Sequence, residues 1–168
     1  VITGSNAADT IGVGHGDDSI SGGAGNDTYV YRRGDGEDVI NDPGTFDGAA
    51  DRLLLQGIVP ADVRVKADGN DAIIEIAAPA GDPTSGGRIV LRESLAPYFQ
   101  RGVESITFDD GTVWTMADLA TLTITSLQTA GDDYITGVAS DDTFTGGKGM
   151  DIVYDTVGGP VLDASFAA

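Results

Sequence analysis

Gly22-Gly23-Ala24-Gly25-Asn26-Asp27-Thr28-Tyr29-Val30 is the stretch on which the fold turns. It fits a nonapeptide G-G-x-G-x-D-x-(large apolar)-x. The pattern extends backwards at a nine-residue period: Asp9 and Asp18 precede Asp27, each followed two residues later by Ile11, Ile20 or Tyr29, and Ile2 adds one more apolar step. It returns near the end as Asp133, Asp142 and Asp151, followed by Ile135, Phe144 and Val153. Nine residues are too few for a helical solenoid repeat. They suit a six-residue turn and a three-residue strand, stacked as a parallel β-helix or β-roll with calcium in the turns.

Each residue type has a physical task in such a turn. Glycine reaches backbone torsions closed to other residues, so that carbonyls can converge. Aspartate supplies a hard anionic oxygen, and calcium takes six to eight oxygens from carboxylates and carbonyls. One turn offers about half of that shell, and the turn stacked on it completes it. In a two-sided roll, neighbours on one side are 18 residues apart, which pairs Asp9 with Asp27 and Asp133 with Asp151; Asp142 is left without a clear partner. A two-residue insertion at Tyr31-Arg32 shifts the next acid, so Asp18 pairs with Asp38, which leads the run Asp38-Val39-Ile40. Ile11, Ile20, Tyr29, Ile40, Ile135, Phe144 and Val153 then form the core between the sheets.

The 168-residue chain carries 27 Asp+Glu against nine Lys+Arg, a formal charge of −18. That argues against nucleic acid and anionic membranes, both of which require basic patches. It favours a bound cation over a generic acidic surface, because the acids fall on a period. Cysteine is absent, which fits an extracellular protein stabilised by metal. No apolar run is long enough to span a membrane, and no signal peptide is visible.

Glycine density divides the chain into a repeat segment (1–48), a middle segment (49–127) and a second repeat segment (128–168). The middle reads as a β-rich lobe extending or capping the first roll. Val63–Lys66 and Ile73–Ile76 flank Asp68-Gly69-Asn70-Asp71, and Ser105–Phe108 and Thr112–Trp114 flank Asp109-Asp110-Gly111; both are hairpin signals. Leu53–Leu55 and Ile89–Leu91 read as buried strands, 79–87 as a loop, and 115–119 as a short helix with Thr115 as N-cap and Asp118 closing a capping box. The expected fold is all-β: a parallel β-roll of nonapeptide repeats flanking that lobe.

The nonapeptides at Gly22–Val30 and Gly146–Tyr154 resemble those of the RTX (repeats-in-toxin) proteins of Gram-negative bacteria. Asn26–Ile40 is similar to the exit of an RTX block. Asp51–Leu55 and Val103–Trp114 resemble the haemolysin-type calcium-binding-related segment that follows such blocks. The resemblance implies a secreted protein, exported unfolded by a type I system and folded by external calcium. It implies that Asp9, Asp18, Asp27, Asp38, Asp133, Asp142 and Asp151 are calcium ligands. Turn residues complete the shells: Asn6, Gly14, Gly16, Asp17, Gly23, Gly25, Asn26, Gly34, Gly36, Gly147 and Gly149. Frames 4–12, 128–136 and 137–145 depart from the pattern by one or more glycines, so two to four ions are expected.

The expected function is a non-catalytic calcium-binding module, whose partners are the other domains of a larger exoprotein. The alternatives are an adhesin-type module, whose middle lobe recognises a carbohydrate or protein surface, and part of an enzyme or self-processing protein. The first alternative calls for exposed aromatics among Tyr98, Phe99, Phe108 and Trp114; at strand spacing, Phe108 and Trp114 read as core. The second rests on Asp42-Pro43 and Asp82-Pro83, dipeptides common by chance in an Asp-rich chain. His15, the one histidine, reads as an exposed turn residue, without the partners a catalytic base needs. Asp42, Asp47 and Asp51 form a candidate group for an extra calcium after the repeats.

Overall fold

The computed structural model describes residues 1–42, 50–95 and 102–127, and four strand segments beyond them, 134–136, 143–144, 152–154 and 161–162. Strands fall where the period places them: β1 (Ile2–Thr3), β2 (Thr10–Gly12), β3 (Ser19–Ser21), β4 (Thr28–Arg32) and β5 (Glu37–Ile40). Successive strands alternate between two sheets. Pairing is parallel, with Ile2 opposite Ile20 and Ile11 opposite Tyr29. A parallel neighbour requires a long crossover, and the excursion through the opposite sheet supplies it, which is why partners lie two repeats apart. The insertion at Tyr31-Arg32 lengthens β4 to five residues, and β3 meets β5 with Ile20 opposite Ile40.

The middle segment contributes β6 (Arg52–Gln56), β7 (Val63–Asp68), β8 (Asp71–Ile76), β9 (Gly87–Leu91), β10 (Ser105–Phe108) and β11 (Val113–Thr115). These strands extend both sheets of the roll. One sheet has six strands in the order β1-β3-β5-β9-β8-β7, the other five in the order β11-β10-β6-β4-β2. β9, β6 and β10 join in parallel, as further turns of a roll would. β7–β8 and β10–β11 are the expected hairpins. The first closes on Asp68 and Asp71 around Gly69-Asn70, where Gly69 has φ 60°.

Register stacks apolar side chains into two facing rows. Ile2, Ile20, Ile40, Leu91 and Ala72 line one sheet. Ile11, Tyr29, Leu53, Ile106 and Trp114 line the other. Ile20, Tyr29, Ile40, Leu53, Leu91 and Ile106 are almost wholly buried, each worth about 1.5–3 kcal/mol against exposure. Phe108 and Trp114 meet edge to face, ring centroids 4.4 Å apart, with Phe108 in the core. Tyr98 and Phe99 lie outside the described residues.

The expected short helix runs further than 115–119: α1 spans Met116–Leu127. Its capping box is present, with the Asp118 carboxylate accepting from the Thr115 N–H at 2.7 Å and the Thr115 hydroxyl from the Asp118 N–H at 3.4 Å. The helix continues because Leu119 and Ala120 find cover in the core, an outcome of packing that local propensity does not show. Beyond it, β12 (Tyr134–Thr136) pairs in parallel with β14 (Ile152–Tyr154), and β13 (Thr143–Phe144) with β15 (Val161–Leu162). Ile135 faces Val153 and Phe144 faces Leu162, again two repeats apart.

Candidate metal centre

An acid stands immediately before each of β2, β4, β6 and β10: Asp9, Asp27, Asp51 and Glu104. These four form a column along one edge of the roll, and the carboxylates of the last three each accept from the backbone N–H of the acid one layer earlier. Asp27 Oδ1 accepts from Asp9 at 2.8 Å, Asp51 Oδ1 from Asp27 at 2.7 Å, and Glu104 Oε2 from Asp51 at 2.6 Å. At the opposite edge, Asp38 Oδ1 accepts from the Asp18 N–H at 2.9 Å. The pairs Asp9–Asp27 and Asp18–Asp38 are thus adjacent, as their spacing predicts.

One oxygen of each inner acid is spent on this ladder. The other is not: Asp27 Oδ2 and Asp38 Oδ2 are buried, and no hydrogen-bond donor among the described residues reaches them. Asp27 and Asp38 are each 1% exposed. An unpaired buried carboxylate oxygen is costly, and the chain places two of them in glycine-lined turns. Burial raises the carboxyl pKa of Asp27, against the opposing Asp9 N–H bond and with the charges of Asp42 and Asp9 adding to the rise. Burial pushes Asp38 up to about 6 and Asp51 up to about 7, and raises Glu104 as well. Asp9, at the open end of its column, is lowered by hydrogen bonds from the Ser5 N–H and hydroxyl.

A tighter group sits where the repeats pass into the middle segment. Asp27, Asp42 and Asp51 each bring one carboxylate oxygen within 4.8 Å of the others, and all three are buried. The Tyr29 hydroxyl donates to Asp42 and accepts from the Gly22 N–H at 2.7 Å. Asp47, also named from sequence for this group, lies outside the described residues; among the described residues Asp27 joins Asp42 and Asp51. Glu104 was not anticipated. Its signal was the acid two residues before a buried apolar residue: Glu104/Ile106 repeats Asp27/Tyr29 and Asp51/Leu53, and Gly102 stands two residues before Glu104 as Gly25 does before Asp27.

The remaining expected ligands have definite places. Gly14, Gly16, Gly23, Gly25, Gly34 and Gly36 all have positive φ, from 79° to 124°. At Gly23 and Gly36 the layers also approach so closely that a Cβ would strike the carbonyls of Ser5 and Gly16. The Gly36 carbonyl accepts from the Tyr31 hydroxyl and the Arg88 N–H, and the Gly34 carbonyl lies 2.9 Å from His15 Nδ1. Asn26 Oδ1 accepts from the Ala50 N–H and Asp17 Oδ1 from the Glu37 N–H; Asn6 is exposed. His15 is exposed in its turn. Asp133, Asp142, Asp151, Gly147 and Gly149 lie outside the described residues, as does Pro43.

Buried carboxylates with unclaimed oxygens, set in glycine-rich turns, match the oxygen donor set of a hard cation. The fit is best at Asp27–Asp42–Asp51 and at Asp38. Among the described residues, no helix is long and apolar enough to cross a membrane.

No family model and no curated protein matches the chain. Among solved structures it is similar to the extracellular lipase LipA from Serratia marcescens, at 20% identity and a TM-score of 0.47, over 95% of this chain and 28% of that one. The chain therefore spans less than a third of that lipase's length.

Proposed function

We propose that the chain is a calcium-binding module of RTX type from a larger secreted protein, with no catalytic role of its own. In this reading calcium folds it outside the cell, and the folded roll spaces or presents neighbouring domains. The observation that carries the reading is the pair of buried carboxylate oxygens, Asp27 Oδ2 and Asp38 Oδ2, that no hydrogen-bond donor among the described residues satisfies. A divalent cation would supply the missing positive charge in each turn column. The aspartates would hold it, and the glycine-rich turns would add carbonyl oxygens. The chain's own part is to bury and orient these acids through the N–H ladder, so that they repel one another until a cation arrives.

A calcium titration followed by calorimetry and far-UV circular dichroism tests this. The chain should gain β signal while taking up several ions, and Asp38→Ala should lose one of them. At site affinities of about 10⁻⁴–10⁻³ M, roughly 10 mM calcium adds about 1.4–2.7 kcal/mol per site. A chain fully folded in chelator that takes up no calcium would refute the proposal.

A further inference from the structure

The group at the exit from the repeats differs in make-up from a turn site. In the first two layers of its column, the position after the strand of the first sheet is glycine: Gly4 follows β1 and Gly22 follows β3. After β5 the corresponding step holds Asn41 and then Asp42, so a carboxylate enters where the repeats have no side chain. Gly22 leaves the room it uses. A methyl group placed on Gly22 would collide with Asp27 Oδ2 and stand 2.5 Å from the Tyr29 hydroxyl oxygen. The unclaimed Asp27 Oδ2 therefore faces the same space as the Tyr29 hydroxyl and its partner Asp42. Asp51 closes the group from the middle segment. Its own N–H is held by Glu104, which lies 53 residues further along the chain.

From this geometry we infer a separate cation site, held by the carboxylates of Asp27, Asp42 and Asp51 with the Tyr29 hydroxyl beside it, that takes a calcium-sized hard cation. The inference rests on the calcium reading above and adds to it a location, a composition and a task. Its three carboxylates come from the repeat at 22–30, the exit of the block and the residue before the first strand of the middle segment. A cation there staples the extension to the roll. Three carboxylates give it more negative charge than a turn whose shell is mostly carbonyl, so it fills at lower calcium than the turn sites. Magnesium, which demands octahedral geometry and sheds water reluctantly, is the poorer occupant.

The test uses the full chain, with calcium and terbium as probes. Tyr29 is close enough to the group to sensitise terbium emission on ultraviolet excitation. Asp42→Asn should lower calcium stoichiometry by one, removing the tightest phase of the titration, and should abolish most of the sensitised emission. Tyr29→Phe should lose the emission while keeping the stoichiometry. Asp38→Asn, at the other edge of the roll, should lose a weaker ion and keep the emission. If Asp42→Asn retains the wild-type stoichiometry and emission while Asp38→Asn loses an ion, the junction site is refuted and the calcium reading survives. If the wild-type chain takes up no ion, both fall. Should Asp42→Asn fail to fold, Asp42→Gly restores the residue of the earlier layers and must show the same single-ion loss.

Discussion

Asp51→Asn should have opposite effects with and without calcium. Burial, aided by the charges of Asp42, Glu104 and Asp27, lifts the Asp51 carboxyl from 3.8 to about 7. At pH 7.5 the native state must ionise a group it would rather hold neutral, and that difference costs about 4 kcal/mol. The amide has no charge to bury. It keeps an oxygen for the Asp27 N–H, and its own N–H bonds find acceptors in the neighbouring carboxylates. In chelator at pH 7.5 the variant should therefore be the more stable protein by about 2–4 kcal/mol, the lower figure allowing for imperfect amide bonding. With a urea dependence of about 2 kcal/mol per molar for a chain of this size, the midpoint rises by about 1–2 M. At pH 4.5, where the folded-state carboxyl is already protonated while the unfolded one is still largely ionised, the gain should shrink to about 1 kcal/mol or less. In saturating calcium the order should reverse, because the variant has lost an anionic ligand. Urea titrations by circular dichroism under the three conditions decide it. A variant less stable than wild type in chelator at pH 7.5, or equally affected at both pH values, would show that Asp51 bears no buried charge and would remove the electrostatic argument for a cation.

Asp38 and Asp51 have folded-state pKa values of about 6 and about 7, above those of the unfolded chain, so their stabilising protonation is complete below about pH 4 and is lost as pH rises through 6 and 7. In chelator the urea midpoint should fall between pH 4.5 and 8, while calorimetry in buffers of differing ionisation heat should show calcium uptake near pH 6.5 releasing protons. Gly22→Ala forces a methyl onto Asp27 Oδ2 and should cost about 1–3 kcal/mol, whereas Gly12→Ala, with nothing within 4 Å, should change stability little; chemical denaturation of both variants checks the contrast. The Arg33 guanidinium donates to the carbonyls of Gly57 and Ala77 and to the Asp62 carboxylate, tying the β7–β8 hairpin to a repeat turn. Arg33→Met should speed amide exchange across 63–76, with little change in β1–β4, as read by hydrogen-exchange mass spectrometry.

The parts of this fold legible in the sequence are those governed by short-range rules. A nine-residue period with an apolar residue two places after each Asp yields strand positions, the alternation between sheets and the parallel partner two repeats away. The Tyr31-Arg32 insertion accounts for the one slip. Gly69-Asn70 and Asp110-Gly111 marked hairpins by their turn chemistry. Helix α1 was seen only in its first turn, since the rest of it depends on Leu119 and Ala120 reaching the core.

The sequence by itself determined the repeat and the acid columns at Asp9–Asp27 and Asp18–Asp38, because both follow from spacings within a few dozen residues. Only the tertiary structure decided that β6, β9 and β10 continue the roll, that Glu104 forms the last rung of a column begun at Asp9, and that Asp42 meets Asp27 and Asp51 beside the Tyr29 hydroxyl. Those contacts bridge segments of irregular length. Where the period breaks, local pattern no longer fixes which layer a residue joins, and burial of the two facing apolar rows sets the register instead.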